Sequence, residues 1–179
     1  MKAVLMSIHP KWCEKIFNGE KTIEVRKSVP KLETPFTVYV YQTRLKVNKG
    51  DSFMVVDALN ENLGCGKVIG SFVCDRVTCC QAYCGGSGEK HLTNLFWDEV
   101  KRTCLTEHEM FDYIVGKGKK EGTGWLWHIT EPKLFDKPRA LSEFGNYKTE
   151  WVQWYHSDDK VFYPLTRPPQ SWCYVEVQK

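Results

Sequence analysis

The first forty residues alternate apolar runs with polar stretches in a pattern that predicts strand, helix, strand and strand. Residues 3–8 are apolar and lead to Pro10, which is favoured at the start of a helix because its missing N–H would be unpaired there. Apolar pairs spaced four apart predict a short helix that ends at Gly19. β-Branched and charged residues then alternate over 21–27, the period of a half-buried strand, and 36–41 has the composition of a third strand.

The remainder of the chain contains further short strands, with helical spacing in the middle. A stretch of Cys, Gly, Ser and Lys at 79–91 has no period and predicts a loop. The predicted strands are 52–59, 66–77, 125–129 and 172–177, the predicted helices are 94–104 and 107–115, and a helical turn is expected at 141–144. Many short strands with few helices predict an α+β fold, a small mixed β-barrel decorated by short helices.

Length and composition favour a single ordered domain. The 179 residues are 42% hydrophobic, which suffices for one well-buried core. We therefore predict one domain over 1–179, with a Cys/Gly-rich and helical insertion around 78–121 and an aromatic-rich extension over 145–179. The late aromatic residues are expected to be buried more often than to stack on bases; they are Trp151, Trp154, Tyr155, Trp172 and Tyr174.

Charge is distributed unevenly along the chain. The net charge is +3, but residues 1–50 hold ten Lys and Arg against four Asp and Glu, whereas the rest holds fifteen against eighteen. This makes the first third electropositive, although the total is too small to imply nonspecific nucleic-acid binding by itself. No apolar stretch approaches the about 20 residues that span a bilayer. We therefore expect no membrane partner. Because a chain of this size does not need disulfides, we also expect reduced thiols and a cytoplasmic location.

The strand at 21–27 concentrates the candidate chemistry. Alternation places Thr22, Glu24 and Arg26 on one face, and alternate strand positions lie about 7 Å apart, so Glu24 and Arg26 are within pairing distance. Lys21 follows the glycine turn and is able to swing toward the same carboxylate. Three charges so close together are costly unless they face water or a polar ligand, which predicts a charged cleft.

Such a cleft suits a nucleobase or a nucleotide. The planar fork of Arg26 fits a phosphate or a carbonyl edge, Glu24 accepts from an exocyclic amine, and Lys21 meets a phosphate. The alternative is an exposed strand face whose charges only keep the fold in solution.

The same segment resembles the ASCH family of the PUA-like superfamily. Gly19, Lys21 and Arg26 fill the family pattern G-x-K-x-x-x-x-R, in the expected context of strand, helix, glycine stop and strand. The resemblance is clearest over 3–43 and 124–135, and the end of the chain is similar to the tails of phage-encoded ASCH proteins. It implies a PUA-like fold that binds RNA or a modified nucleoside or nucleotide.

Three residues upstream of the strand are expected to join this ligand site. The segment Ser7-Ile8-His9-Pro10 leads through the short helix into the motif, and the helix carries Trp12. Candidate ligand-binding residues are therefore Ser7, His9, Trp12, Lys21, Glu24 and Arg26. His9 is alternatively a cap at the end of the first strand.

The resemblance also raises an enzymatic alternative. Some ASCH proteins hydrolyse the acyl amide of N4-acetylcytidine, with the motif lysine activating a threonine hydroxyl three residues further on and a glutamate assisting. Here that position is Glu24, which cannot replace the hydroxyl directly but is a conceivable general base for water. An assisting carboxylate would come from Glu107 or Glu109. The candidate catalytic residues are Lys21, Glu24 and Glu109, while alternation sets Thr22 on the opposite face from Lys21.

The cysteines offer a second alternative, a Cys-rich zinc-dependent interaction protein. Soft ligands for zinc are available at Cys74, Cys79, Cys80, Cys84 and His91. Their spacing is not that of a recognised paired knuckle, so no metal ligands and no cofactor are predicted.

Overall fold

The computed structural model describes residues 2–44, 66–152 and 155–177. The predicted strand at 52–59 and Trp154 lie outside these residues. The chain divides into two compact units. Unit 1 comprises Met1–Cys13, Thr37–Ser71 and Lys133–Lys179, and unit 2 comprises Glu14–Phe36 and Phe72–Pro132. The organisation of 1–179 as one domain with an insertion and an extension stays a prediction.

Strands make up most of the described secondary structure. In chain order the elements are β1 (Ala3–Ile8), α1 (Pro10–Phe17), β2 (Ile23–Arg26), β3 (Phe36–Gln42), β4 (Val68–Cys84), β5 (Lys90–Thr93), α2 (Trp97–Arg102), α3 (Glu107–Val115), β6 (Glu121–Arg139), a 3₁₀ turn (Leu141–Glu143), β7 (Phe144–Val152), β8 (Tyr155–Pro164) and β9 (Trp172–Val177). No helix among these described elements has the length and apolar character needed to cross a membrane.

Unit 1 is built around the apolar first strand. All six residues of β1 are buried, because the strand is flanked by β3 in parallel and by β9 in antiparallel orientation. β7 continues the ladder by pairing with both β9 and β8. Leu5, Val68, Phe144 and Val175 form its core together with neighbouring aromatic residues.

In unit 2 the short strand β2 packs against the helix α3. β2 pairs antiparallel with β6, and β5 pairs antiparallel with β4. Ile23 and Val25 alternate inward and pack in one apolar cluster with Leu126 of β6 and with Met110 and Ile114 of α3. Since side chains alternate along a strand, Glu24 and Arg26 point to the other side of β2.

The α+β class is confirmed, and the predicted barrel is not. Closure would require the first and last strands of a ladder to pair with each other. In each unit the ladder formed by the described strands is open, running from β3 to β8 in unit 1 and ending on β2 and β5 in unit 2. The helices at Trp97–Arg102 and Glu107–Val115, the 3₁₀ turn and the last strand lie where the sequence predicted them.

The loop predicted at 79–91 is wrong. β4 continues to Cys84, and β5 follows after a short turn. The reason is that cysteine serves here as a small apolar residue: Cys80 and Ala82 are buried in the unit 2 core, whereas Gln81 and Tyr83 between and after them are exposed. This is the period of two that defines a half-buried strand.

Gly122 marks a close contact between β6 and the end of α3. A Cβ at this position would lie 2.6 Å from the backbone oxygen of Ile114 and 3.1 Å from the Cα of Val115. We expect Gly122→Ala to lower the free energy of unfolding by about 1–3 kcal/mol through overpacking. Gly86→Ala is the matched control, because nothing lies within 4 Å of its Cβ position. Equal thermal unfolding curves for the two variants would contradict this packing.

Candidate functional site

The carboxylate of Glu24 lies between two cations, which we call the charged triad: Lys21, Glu24 and Arg26. Lys21 Nζ is 3.2 Å from Glu24 Oε2, and Arg26 Nη2 is 2.9 Å from Glu24 Oε1. The three side chains are only 2%, 10% and 9% exposed, in sequence order. The predicted convergence of these groups is therefore observed, in a setting that is nearly buried instead of openly solvated.

Two helix ends position Lys21. Gly19 has a φ of +83°, a left-handed conformation that favours glycine, and it ends α1 so that Lys21 N–H donates to Lys15 O at 2.8 Å. The Lys21 ammonium then donates to Thr103 O at 2.6 Å, just after α2. The backbone therefore directs this amine toward Glu24 instead of leaving it in solvent.

Aromatic side chains accompany the triad along β6. Glu24 is in register with Trp127, and Arg26 is in register with Trp125, so each pair shares one side of the ladder. Trp127 is fully buried and packs edge to face against Phe36 with ring centroids 5.5 Å apart, whereas Trp125 is partly exposed. The triad thus has an indole beside its guanidinium.

Tyr113 of α3 lies within electrostatic reach of the triad. Burial raises the pKa of Tyr113, with Arg26 opposing and Glu24 reinforcing the shift. Lys27 Nζ lies 5.4 Å from the centroid of its ring. A phenol of α3 therefore lies near the charges of Glu24 and Arg26.

A second polar group, His128, lies on the opposite side of the β2–β6 ladder. Its cross-strand partner is Ile23, so it shares the face that α3 covers. Its Nδ1 is 3.1 Å from Arg76 Nη2, and its Nε2 is 3.3 Å from Thr78 Oγ1 and 3.6 Å from Glu99 Oε1. Because a guanidinium only donates, Nδ1 accepts and the ring proton belongs on Nε2, facing Thr78 and Glu99.

The surroundings of His128 favour its neutral form. Burial is the largest cause that lowers its pKa, followed by the charges of Arg76 and Arg102, while Glu99 and Asp75 oppose the shift. Arg102 is itself oriented by a hydrogen bond from its Nε to Thr22 Oγ1 at 2.9 Å. The Thr22 hydroxyl is thus already engaged by α2.

The upstream candidates belong to unit 1. Ser7 donates through Oγ to Pro169 O at 2.6 Å, and His9 Nδ1 accepts from the backbone N–H of Lys11 at 3.3 Å, at the start of α1. Lys11 Nζ lies 4.6 Å from the Trp12 ring centroid. Each has a local structural role in unit 1, and the assignment of all three to a ligand site stays a prediction.

Glu109 has a structural role that the sequence reasoning missed. Its Oε2 accepts from Thr106 N at 2.8 Å and from Thr106 Oγ1 at 2.9 Å, and Thr106 Oγ1 accepts from Glu109 N in return. This is a capping box at the start of α3, and both residues are exposed. The carboxylate that α2 buries is instead Glu99, which no sequence pattern had singled out.

The cysteines do not assemble into a metal site within the described residues. No group of three or more His, Cys, Asp and Glu side chains there has an arrangement that would hold a metal ion. Cys79 and Cys80 are consecutive in β4 and so point to opposite faces. Burial also raises the pKa of Cys74 to about 12 and that of Cys80 to about 11, which favours inert thiols.

Comparison with known proteins agrees with the resemblance that Gly19, Lys21 and Arg26 had indicated. Residues 6–90 match the ASCH domain family. Among solved structures, the chain is similar to ASCH from Zymomonas mobilis, at 17% identity and a TM-score of 0.56, covering 97% of this chain and 87% of that one. A mutant of the same Zymomonas mobilis protein gives the same identity and TM-score, with 97% and 88% covered. At this identity the likeness shows the fold alone. No curated protein matches the chain.

Replacing the carboxylate of Glu24 by an amide tests how much its ion pairs with Lys21 and Arg26 contribute to the free energy of unfolding. We expect Glu24→Gln to lower the free energy of unfolding by about 3–5 kcal/mol, because it leaves Lys21 and Arg26 facing each other with little solvent. Glu20→Gln is the control, since Glu20 pairs with Lys15 at 2.5 Å on the surface. Chemical denaturation curves measure both changes. Equal losses of unfolding free energy in the two variants would show that the ion pairs of the triad contribute no more than a surface ion pair.

The neutral His128 predicts a pH dependence of stability. Its folded-state pKa is below its ordinary value of 6.5, so the unfolded chain binds more protons and stability is lost as pH falls through that region. Urea denaturation between about pH 7.5 and about pH 5.5 measures the slope. We expect His128→Gln to flatten it, whatever its effect on absolute stability. Parallel slopes for the two proteins would exclude His128 as the titrating group.

Proposed function

We propose that this protein binds RNA or a modified nucleotide, and that the charged triad of Lys21, Glu24 and Arg26 makes the central contacts. Support at the family level comes from the ASCH domain, a PUA-like fold that is often linked to RNA binding. Support within the chain comes from one observation: two cations share a single, nearly buried carboxylate.

The charge of the triad matches an anionic ligand. Two cations and one carboxylate leave a formal excess of one positive charge in a setting with little solvent. A phosphate is a natural complement, because hydrogen bonds between guanidinium or ammonium groups and phosphate oxygens are among the strongest in proteins. Glu24 accepts from an exocyclic amine and so adds a preference for a particular base edge.

The aromatic neighbours suit a flat heterocycle. Trp125 is partly exposed and is the cross-strand neighbour of Arg26. A partly exposed indole therefore lies next to the position of the guanidinium. Bases of single-stranded nucleic acid stack on such side chains irrespective of sequence, and hydrogen bonds to their edges then provide selectivity. The triad and the indole together supply both components of this mode of recognition.

Three observations favour binding over the alternative of amide hydrolysis. The hydroxyl of Thr22 already accepts a hydrogen bond from Arg102, and position 24 carries a carboxylate in place of a nucleophilic hydroxyl. Glu109, the candidate assisting group, forms the capping box of α3. Thr22 and Glu109 are therefore engaged in structural contacts.

Arg26 provides the most direct test of this function. We expect Arg26→Ala to weaken RNA binding by about 1–3 kcal/mol, the usual value of a bidentate charged contact. Arg26→Lys keeps the charge but loses the planar fork, so it should also weaken binding while protecting the fold. Fluorescence anisotropy with a labelled RNA oligonucleotide measures the affinities. Arg139→Ala is the matched control, because Arg139 pairs with Glu143 at 2.8 Å in a more exposed position of unit 1.

Unchanged affinity in both Arg26 variants would remove the triad from the binding site. Incubation of the wild-type protein with N4-acetylcytidine tests the alternative that the protein hydrolyses this amide. Binding without turnover is the expected result. Release of acetate that is lost in Lys21→Ala would replace the binding proposal with the hydrolytic one.

A further inference from the structure

Two large aromatic side chains at the beginning of α2 are exposed. Phe96 is 79% and Trp97 is 64% exposed, against 40–49% for the other exposed large hydrophobic side chains of the described residues. They are consecutive in the chain, and we call them the aromatic pair. Isolated exposed hydrophobic residues are common, but adjacent ones of this size indicate a contact surface.

The backbone beneath the aromatic pair is firmly held. Glu99 Oε2 accepts from Phe96 N–H at 3.1 Å, while Oε1 of the same carboxylate is 3.6 Å from His128 Nε2. On the other side, Leu95 packs against the apolar cluster of unit 2. The backbone that carries the pair is therefore fixed before a ligand binds, which reduces the backbone entropy lost on binding.

The helix that begins with the aromatic pair ends at the charged triad. Thr103, the residue that caps α2, offers the carbonyl that accepts from Lys21 Nζ at 2.6 Å. Trp97 and Thr103 are six positions apart, which corresponds to about 9 Å along a helix. One extended ligand is therefore able to reach both places.

The last turn of α2, at the end nearer the triad, carries Lys101 and Arg102. Lys101 Nζ reaches back to within 5.8 Å of the Trp97 ring centroid. The acidic residue Asp98 is exposed in the first turn, so the cationic part of α2 is its end. Bases at the first turn and phosphates at the last would match this arrangement.

We propose that Phe96 and Trp97 stack unpaired bases of a single-stranded RNA whose backbone continues to the charged triad. This inference rests on the proposed function and specifies its substrate class. A duplex keeps its base faces stacked inside, so it has no flat surface to offer the pair. A second protein is the poorer occupant, because two aromatic side chains bury about 150–250 Å² each, far below the about 800 Å² per partner of a standard interface.

The experiment compares one RNA sequence as an unstructured single strand and as a duplex, both fluorescein-labelled, by anisotropy. We expect Phe96→Ala and Trp97→Ala each to weaken single-strand binding by about 5- to 100-fold, with duplex binding unchanged. Trp97→Phe keeps an aromatic ring and should retain most of the affinity. Tyr163→Ala is the matched control, because Tyr163 is a 40% exposed aromatic residue of unit 1. Thermal unfolding verifies that each variant is folded.

The possible failures are distinguishable. If the wild type binds the single strand, Arg26→Lys weakens it and the aromatic variants do not, the stacking inference is overturned and the proposed function stands. If the wild type binds neither RNA, both are overturned. If sedimentation shows a wild-type dimer that Trp97→Ala dissociates, the pair is a subunit contact and the inference is likewise overturned.

Discussion

The ion pairs of Glu24 with Lys21 and Arg26 are the constraint on which the candidate site depends. A carboxylate with so little solvent is tolerable only while both cations stay close, and the cations in turn are tolerable only while the carboxylate is charged. The local backbone holds Lys21 close to Glu24. Gly19 turns the chain out of α1, and the carbonyl of Thr103 receives the ammonium of Lys21.

The two faces of β2 have different roles in unit 2: one is apolar and packs in the core, and the other carries Glu24 and Arg26. Ile23 and Val25 bury the strand against α3, which fixes the register with β6 and thereby sets Trp127 and Trp125 opposite Glu24 and Arg26. His128 lies on the apolar side, where Arg76, Thr78 and Glu99 satisfy its ring nitrogens. The apolar packing of β2 and the ion pairs of Glu24 and Arg26 therefore share one four-residue strand, so substitutions in the triad need controls that separate folding from binding.

Local patterns predicted the centre of this site well. The alternation over 21–27 and the glycine stop at Gly19 sufficed to place the three charges together, because both are short-range properties of the chain. The role of Glu109 is also a local property of the chain. Thr106 three residues before it is a capping-box signature, and that pattern explains the carboxylate without a catalytic role.

Long-range features were beyond such reasoning. The contacts of His128 with Arg76 and Glu99 join residues far apart in the sequence, and pairing of distant strands decides whether a barrel closes. The extension of β4 through Cys80 is not evident from the sequence, because cysteine occurs both as a reactive residue and, as here, as a small apolar one. The exposure of Phe96 and Trp97 could not be foreseen either, since the same residue types are usually buried.

Hydrogen exchange of the free and RNA-bound protein tests the central claim most directly, because it maps the bound surface without altering the triad. If the charged triad is the binding centre, amides of β2 and of the turn from Gly19 to Lys21 will exchange more slowly in the complex. Protection confined to unit 1, with β2 exchanging at its free rate, would contradict the account.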